Sequence, residues 1–430
     1  MRPALDAAGG PPMLRRMKTL ARLSITRLSI AGLLASLLAT PAAAQTFADE
    51  VAFLQKHTKV VVLTDGKEMR VAVAPDLQGR VMTSSARGDG GPGYGWINRD
   101  LVASSQRDVH FNPYGGEDRF WLGPEGGQFA VFFKPGEPFD LAHWYTPPAV
   151  DTEPFPVTSS QPDRVTFDKK MTLTNRAGTV FDLALHRVVR LVPRAQALKD
   201  LGLTGTEAVQ AVAFESENRI TNTGPRPWRK ESGLLSVWIL GMFTPSPQTT
   251  VVVPFNRGPE ATLGPIVNSA YFGKVPSERL AVGENAIFFS GDGRYRSKIG
   301  IPPARVRPVL GSYDASGGVL TLVQFDRPAD ARDYVNSMWE VQKDPFAGDV
   351  VNSYNDGPPA PGAKPLGPFY ELETSSPAAA LPAGGSLVHR HRTIHLVGDR
   401  AVLDTIARKA LGVSLDGIRS ALGATTNAPK

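Results

Sequence analysis

Between its two ends the chain alternates apolar and polar residues in short runs rich in Val, Ile, Phe and Thr, each closed by Gly, Pro, Asn or Asp. A period of two sends successive side chains to opposite faces of an extended backbone, so these runs are predicted as β-strands. They are Val71–Ala74, Phe129–Phe133, Arg164–Thr174, Val180–Val192, Val209–Thr221, Leu234–Phe243, Thr249–Phe255, Ala286–Ser290, Arg305–Tyr313, Val319–Phe325, Phe369–Thr374 and Ser386–Val397. Turn residues in Tyr313–Val319 predict a hairpin between two of them. Helical spacing appears only at the ends. Phe47, Val51 and Leu54 follow Thr46 and Asp49, which resemble a capping box. Val402, Leu403, Ile406, Ala410 and Leu411 form one stripe over Asp399–Leu411, stopped by Gly412, with a further turn over Asp416–Leu422. A dozen strands with little helix predict an all-β fold, a large antiparallel sandwich. No repeat of propeller or solenoid length occurs. The Pro-rich stretches Thr146–Pro162 and Gly357–Pro368 are read as surface crossings within a single domain over residues 45–430.

Composition narrows the chemistry. The 430 residues include no cysteine, which excludes a disulfide scaffold, a thiol nucleophile and thiolate metal sites. A net charge of +6 suggests a polyanionic partner, yet nearly all of it lies in residues 1–44. That segment has a basic stretch, Arg15–Arg27, an apolar run, Leu28–Leu38, and the small-residue end Ala39-Thr40-Pro41-Ala42-Ala43-Ala44. The run of 11 residues is shorter than the about 20 that cross a bilayer. It reads as a Sec-type secretory signal cleaved before Gln45. The remaining chain carries 41 basic and 40 acidic side chains, no footprint of a nucleic-acid binder. The expectation is a periplasmic or secreted protein with no membrane anchor after cleavage and no nucleic-acid partner.

Motifs for nucleotide and serine-hydrolase chemistry are missing: no Walker loop, no G-x-S-x-G elbow and no H-E-x-x-H. The glycine-rich Gly91-Pro92-Gly93-Tyr94-Gly95 opens no predicted helix and so makes no phosphate cradle. Polar clusters remain to be explained. Three of the seven histidines fall in Leu387–Leu396, where alternation places His389, His391, Thr393 and His395 on one face and Val388, Arg390, Arg392 and Ile394 on the other. Imidazoles about 7 Å apart can ligate a metal or shuttle protons. Upstream, Glu371 and Glu373 also share a face. A turn centred near Leu381 would set Glu371 across from His391 and Glu373 across from His389, an acid–base arrangement; an exposed ion-pair ladder is the alternative. The loop Asn112–Gly127 combines Glu117, Arg119 and Trp121, suited to hydroxyl hydrogen bonds and ring stacking. Trp339, Glu340, Asn352, Tyr354 and Asp356 sit in further loops, and Arg294, Arg296 and Lys298 supply cations.

Asn112–Gly127, Tyr334–Glu340, Asn352–Gly357 and Gly367–His395 together resemble an uncharacterised family of secreted bacterial proteins related to galactose mutarotase. The run Phe369-Tyr370-Glu371-Leu372-Glu373-Thr374-Ser375-Ser376-Pro377-Ala378 is the most distinctive part. The resemblance implies a supersandwich with a sugar cleft on its concave face. It also implies a Glu that takes the anomeric hydroxyl proton and a His that acts as acid to the ring oxygen. Carried onto this chain, the base is Glu371 or Glu340, the acid His391 or His389, and Arg119 and Trp121 touch the sugar.

The resulting expectation is an exported carbohydrate-active protein, aldose epimerase/mutarotase-like, using carboxylate and imidazole acid–base chemistry on a mono- or oligosaccharide. Its expected substrate contacts are Glu117, Arg119, Trp121, Lys298, Asn352, Tyr354, Asp356, Glu373, Arg392 and His395. No cofactor is expected. The alternatives are a non-catalytic carbohydrate-binding protein and a polysaccharide lyase or glycoside hydrolase with a divalent metal held by His389, His391 and a carboxylate.

Overall fold

A computed structural model of the chain describes residues 45–104, 106–202 and 208–423; the signal expected over residues 1–44 lies outside them. Among the described residues, eighteen strands pair antiparallel into three sheets. Ten form one sheet, in the order Leu280–Val282, Ala286–Ser290, Thr249–Pro254, Val309–Asp314, Val319–Phe325, Ser386–Gly398, Val209–Asn222, Val180–Leu191, Arg164–Thr174, Val157–Gln161. Five form a second, in the order Ser297–Ile301, Val351–Asn355, Tyr370–Ser375, Ser236–Phe243, Arg119–Gly123. The strands Val61–Thr64, Arg70–Ala74 and Arg80–Ser85 make a small third sheet. The fold is thus an all-β sandwich with short helices.

The five-stranded sheet is buried on both faces, which is why Ser236–Phe243 reads as one continuous apolar run. Phe243, Ile299, Ile301, Val351 and Leu372 point to the large sheet and pack on its Val251, Val253, Ile287, Phe289 and Val323. Each such side chain contributes roughly 1.5–3 kcal/mol relative to exposure. Arg119, Trp121, Trp238, Glu371, Glu373, Tyr354 and Lys298 alternate with the sandwich-facing residues and so point to the opposite face.

Helical spacing at both ends is realised. Phe47–Gln55 starts at Thr46 with a capping box closed by Asp49. Arg400–Leu411 ends at a left-handed Gly412, and Leu415–Ser420 follows. The C-terminal stripe of Leu403, Ile406, Ala407 and Leu411 covers the outer face of the ten-stranded sheet at Ala211, Ala213, Leu322 and Ile394. The Tyr313–Val319 hairpin forms as expected. Phe129–Phe133, predicted as a strand, is irregular. Its apolar residues are there to pack, Phe132 stacking 5.9 Å from Trp144, and its backbone joins no ladder.

One topological expectation fails. Tyr370–Ser375 is not the neighbour of Ser386–Gly398. It pairs with Val351–Asn355 and Ser236–Phe243, so Glu371 lies opposite Tyr354 and Met242. Ser386–Gly398 pairs with Val319–Phe325 and Val209–Asn222, so His391 lies opposite Phe325 and Ser216. The segment between them crosses from one sheet to the other instead of turning back as a hairpin.

The predicted histidine face exists, and it points between the sheets, where His389, His391, Thr393 and His395 are buried. Thr374, on the sandwich side of the small sheet, reaches across to His389 Nε2 and His391 Nδ1, both at 2.9 Å. Nearby, Arg187 donates to Asp118 Oδ1 at 2.7 Å and to Asn218 Oδ1 at 2.5 Å. His395 Nε2 meets Glu117 Oε2 at 2.9 Å, its Nδ1 meets Thr321, and Ser84 donates to Glu117. Buried charges persist where they are paired and hydrogen-bonded, and these are.

Candidate functional site

The outward face of the five-stranded sheet floors a pocket of about 150 Å³. Engineered cavities of about 150 Å³ hold a six-membered benzene ring, so the space suits one small cyclic molecule. Trp121 and Trp238 come from neighbouring strands of the floor, where they meet edge to face at 5.5 Å. Trp144 and Trp339 arrive on loops and lie 5.9 Å apart, completing an indole wall with Phe111. Four of the six tryptophans in the chain thus line one pocket. Indoles offer flat apolar faces with an N–H at one edge, the pairing of properties that stacks on a ring and fixes its orientation.

Charged groups are set into this wall. Arg119 Nη2 donates to Glu371 Oε1 at 3.0 Å, and its guanidinium lies 4.0 Å over the Trp121 ring. Lys298 Nζ and Trp238 Nε1 both donate to Glu373 Oε2, at 3.0 and 2.9 Å. Tyr354 donates to Asp356 Oδ1 at 2.7 Å, and the Gly367 N–H donates to Asp356 Oδ2. Glu125 and Arg296 also line the space.

Burial sets the proton affinities. It lifts Glu371 above the usual carboxylate range, to about 8; Arg119 opposes the shift and Glu373 adds to it. Glu125 is raised too, first by burial, against the pull of Lys298. For Lys298 burial acts downward, but the carboxylates of Glu373, Glu125 and Glu371 outweigh it and hold the ammonium protonated. Arg119 keeps its charge because a guanidinium is too basic to lose its proton here. The pocket therefore contains two carboxyl groups of raised proton affinity, Glu371 and Glu125, beside the Arg119 and Lys298 cations.

Among the residues expected from the sequence, Arg119, Trp121, Lys298, Tyr354, Asp356 and Glu371 line this pocket. Glu373 and Asn352 lie just beneath, Asn352 donating to Tyr271. The remaining expected site residues lie elsewhere. His389 and His391 occupy the sandwich interior, on the far side of the small sheet from Glu371, because residues 371 and 374 point to opposite faces of one strand. Glu117 and His395 are paired in that interior as well. Arg392 faces the opposite way and joins Glu215 and Asp200 in a surface ladder. Glu340 is exposed, although its neighbour Trp339 lines the pocket. No group of three or more His, Cys, Asp or Glu among the described residues is disposed to hold a metal ion. Glu125, from the Asn112–Gly127 cluster, and Trp339, from the Trp339–Asp356 cluster, also line the site, together with Trp144 and Trp238, whose only sequence signal is the scarcity of tryptophan.

Solved structures similar to this chain include a proposed aldose 1-epimerase from Escherichia coli K12, 12% identical, TM-score 0.47, covering 80% of this chain and 100% of that one. A galactose mutarotase-like protein from Lactobacillus casei ATCC 334 is 11% identical, TM-score 0.44, covering 79% and 100%. A protein from Synechocystis sp. PCC 6803 is 14% identical, TM-score 0.44, covering 80% and 96%. None of the curated proteins compared with the chain matches it. Residues 45–422 match a family of unknown function, DUF6786, and the chain belongs to that family.

Proposed function

We propose that the protein is an exported carbohydrate-active enzyme that binds a sugar in the indole-walled pocket and interconverts its anomers, with Glu371 as the base. The observation that carries the reading is the coincidence of four tryptophans with the Arg119–Glu371 and Lys298–Glu373 pairs on one sheet face. In this reaction Glu371 takes the proton of the anomeric hydroxyl while the bond from that carbon to the ring oxygen breaks. The proton delivered to the ring oxygen comes from Glu125, whose proton affinity burial raises. The open-chain aldehyde rotates about its first carbon–carbon bond and recloses on the other face, with both protons returned. Carboxyl groups thus take both roles, in place of the carboxylate and imidazole expected from the sequence. Export is supported by the leader-like composition of residues 15–44.

The test is anomer interconversion on a panel of monosaccharides and uronates, followed by NMR, for the wild type and Glu371→Gln. The rate enhancement should fall by about a hundredfold or more in the variant. An unchanged rate overturns the role of Glu371. Saturable sugar binding with no turnover by the wild type would instead identify a non-catalytic binding protein, a reading favoured by the lack of histidine among the pocket-lining residues.

A further inference from the structure

The floor of the pocket offers more hydrogen-bond donors than it uses. Arg119 carries five N–H groups. Its Nη2 meets Glu371, while Nε and Nη1 have no partner among the described residues. The indole Nε1 atoms of Trp121 and Trp144 are likewise unpartnered. All three residues line the pocket and are 2%, 2% and 9% exposed. Among the fully buried side-chain atoms of these floor residues, the four nitrogens stand against one unpartnered carboxylate oxygen, Glu373 Oε1. Buried polar groups in folded proteins are satisfied, so a ligand seated here must bring acceptors.

A sugar hydroxyl is a poor answer to a donor excess, because each one brings a proton that itself needs an acceptor. A carboxylate accepts at both oxygens and donates nothing. Its planar geometry also matches the fork of a guanidinium. Arg119 already shares one arm with Glu371, which leaves its remaining charge better matched to a monoanion than to a phosphate dianion.

We propose that the ligand is a sugar acid whose carboxylate sits against Arg119 and the Trp121 and Trp144 indole N–H groups. This rests on the carbohydrate reading above and sharpens it. The Arg296 and Lys364 cations that also line the pocket draw an anionic ligand in.

The test is titration of the full chain with D-glucuronate and D-galacturonate, their neutral parents glucose and galactose, and glucose 6-phosphate, read by tryptophan emission. One uronate should bind about tenfold or more tighter than its neutral parent. Arg119→Gln should bring that ratio close to one, with the larger loss of affinity falling on the uronate. Trp144→Phe, which removes an N–H and keeps an aromatic ring, should lower the ratio in a variant whose near-ultraviolet circular dichroism shows a native fold. Equal or tighter binding of the neutral sugars overturns the sugar-acid assignment and leaves the carbohydrate reading standing. Tighter binding of the phosphate ester overturns it in favour of a sugar phosphate. If no sugar of any charge binds, both readings fall.

Discussion

Thr374 Oγ1 lies 2.9 Å from His391 Nδ1, joining the strand that carries Glu371 to the opposite sheet of the sandwich. The same oxygen lies 2.9 Å from His389 Nε2. A hydroxyl has a single proton, so it donates to one imidazole and accepts the N–H of the other, which ties the two tautomers together. The histidines therefore brace the pocket floor from behind. Their place in the sandwich is structural.

Thr374→Val keeps the shape and removes the bridge, leaving two buried ring nitrogens without their partner. It should lower unfolding stability by about 1–3 kcal/mol in chemical denaturation. Sugar affinity should hold within about twofold, since the side chain faces away from the pocket. A large loss of affinity at unchanged stability would contradict this placement.

Burial also makes the two histidines acid-sensitive. It pushes His389 down to about 3, with the charge of His391 adding, and His391 down to about 4, against the opposing pull of Asp118. In the unfolded chain both titrate near pH 6.5. Between these values the unfolded state binds more protons, so stability rises with pH there. It should be full above about pH 6.5, fall as pH drops toward about 4, and level off below about 3. Calorimetric Tm measured from pH 7 to 4 should fall less steeply in His391→Gln than in the wild type. An identical slope would mean that the imidazole is already protonated in the folded state.

The Asp118–Arg187 pair, 2.7 Å apart with both side chains fully buried, makes a further claim on stability. Arg187→Met strands a buried carboxylate and should cost about 3–5 kcal/mol, whereas removing both charges in Arg187→Met with Asp118→Leu should recover much of that loss. Denaturant melts of the two variants and the wild type measure the difference. Equal destabilisation by the single and double changes would show that packing, and not charge, holds this part of the seam.

How far the sequence could be read follows from which contacts are local. Alternation within Leu387–Leu396 assigns its faces correctly, because a period of two is a property of one strand. The partner of that strand is not local information. The segment from Ser376 to Gly385 serves equally well as a hairpin loop or as a crossing between sheets, and neither charge complementarity nor hydrophobic period separates the two. A hairpin would bring Glu371 and His391 into one site; the crossing places them on different sheets. The pocket was half legible. Arg119, Trp121, Trp339 and Tyr354 stand in polar–aromatic clusters visible in the sequence, whereas Trp144 and Trp238 come from segments about a hundred residues apart and meet only through packing. Seven strands went unrecognised, among them Val351–Asn355 and Arg119–Gly123. Both are only five residues long, and the pocket-facing Arg119 in one and Asn352 in the other interrupt the apolar pattern by which a strand is read.

Glu371 and His391, on opposite sides of the small sheet, predict opposite mutational signatures. With Glu371 as base, only its ionised form reacts, and its affinity is raised by burial to about 8. The rate constant kcat/KM should therefore increase with pH toward about 8, because below that value most Glu371 carboxyls hold their proton, and should fall again where the acid Glu125 loses its proton. Glu371→Gln should remove this rise together with about a hundredfold or more of the activity, while stability changes little, since the amide oxygen still accepts from Arg119. His391→Gln should do the reverse: the stability profile shifts, and activity per folded molecule stays within about twofold. Rates and melting curves for both variants across pH 6 to 9 decide the matter. If His391→Gln abolished turnover in a folded protein while Glu371→Gln retained it, the catalytic chemistry would belong to the sandwich interior, and the indole-walled pocket would serve for binding alone.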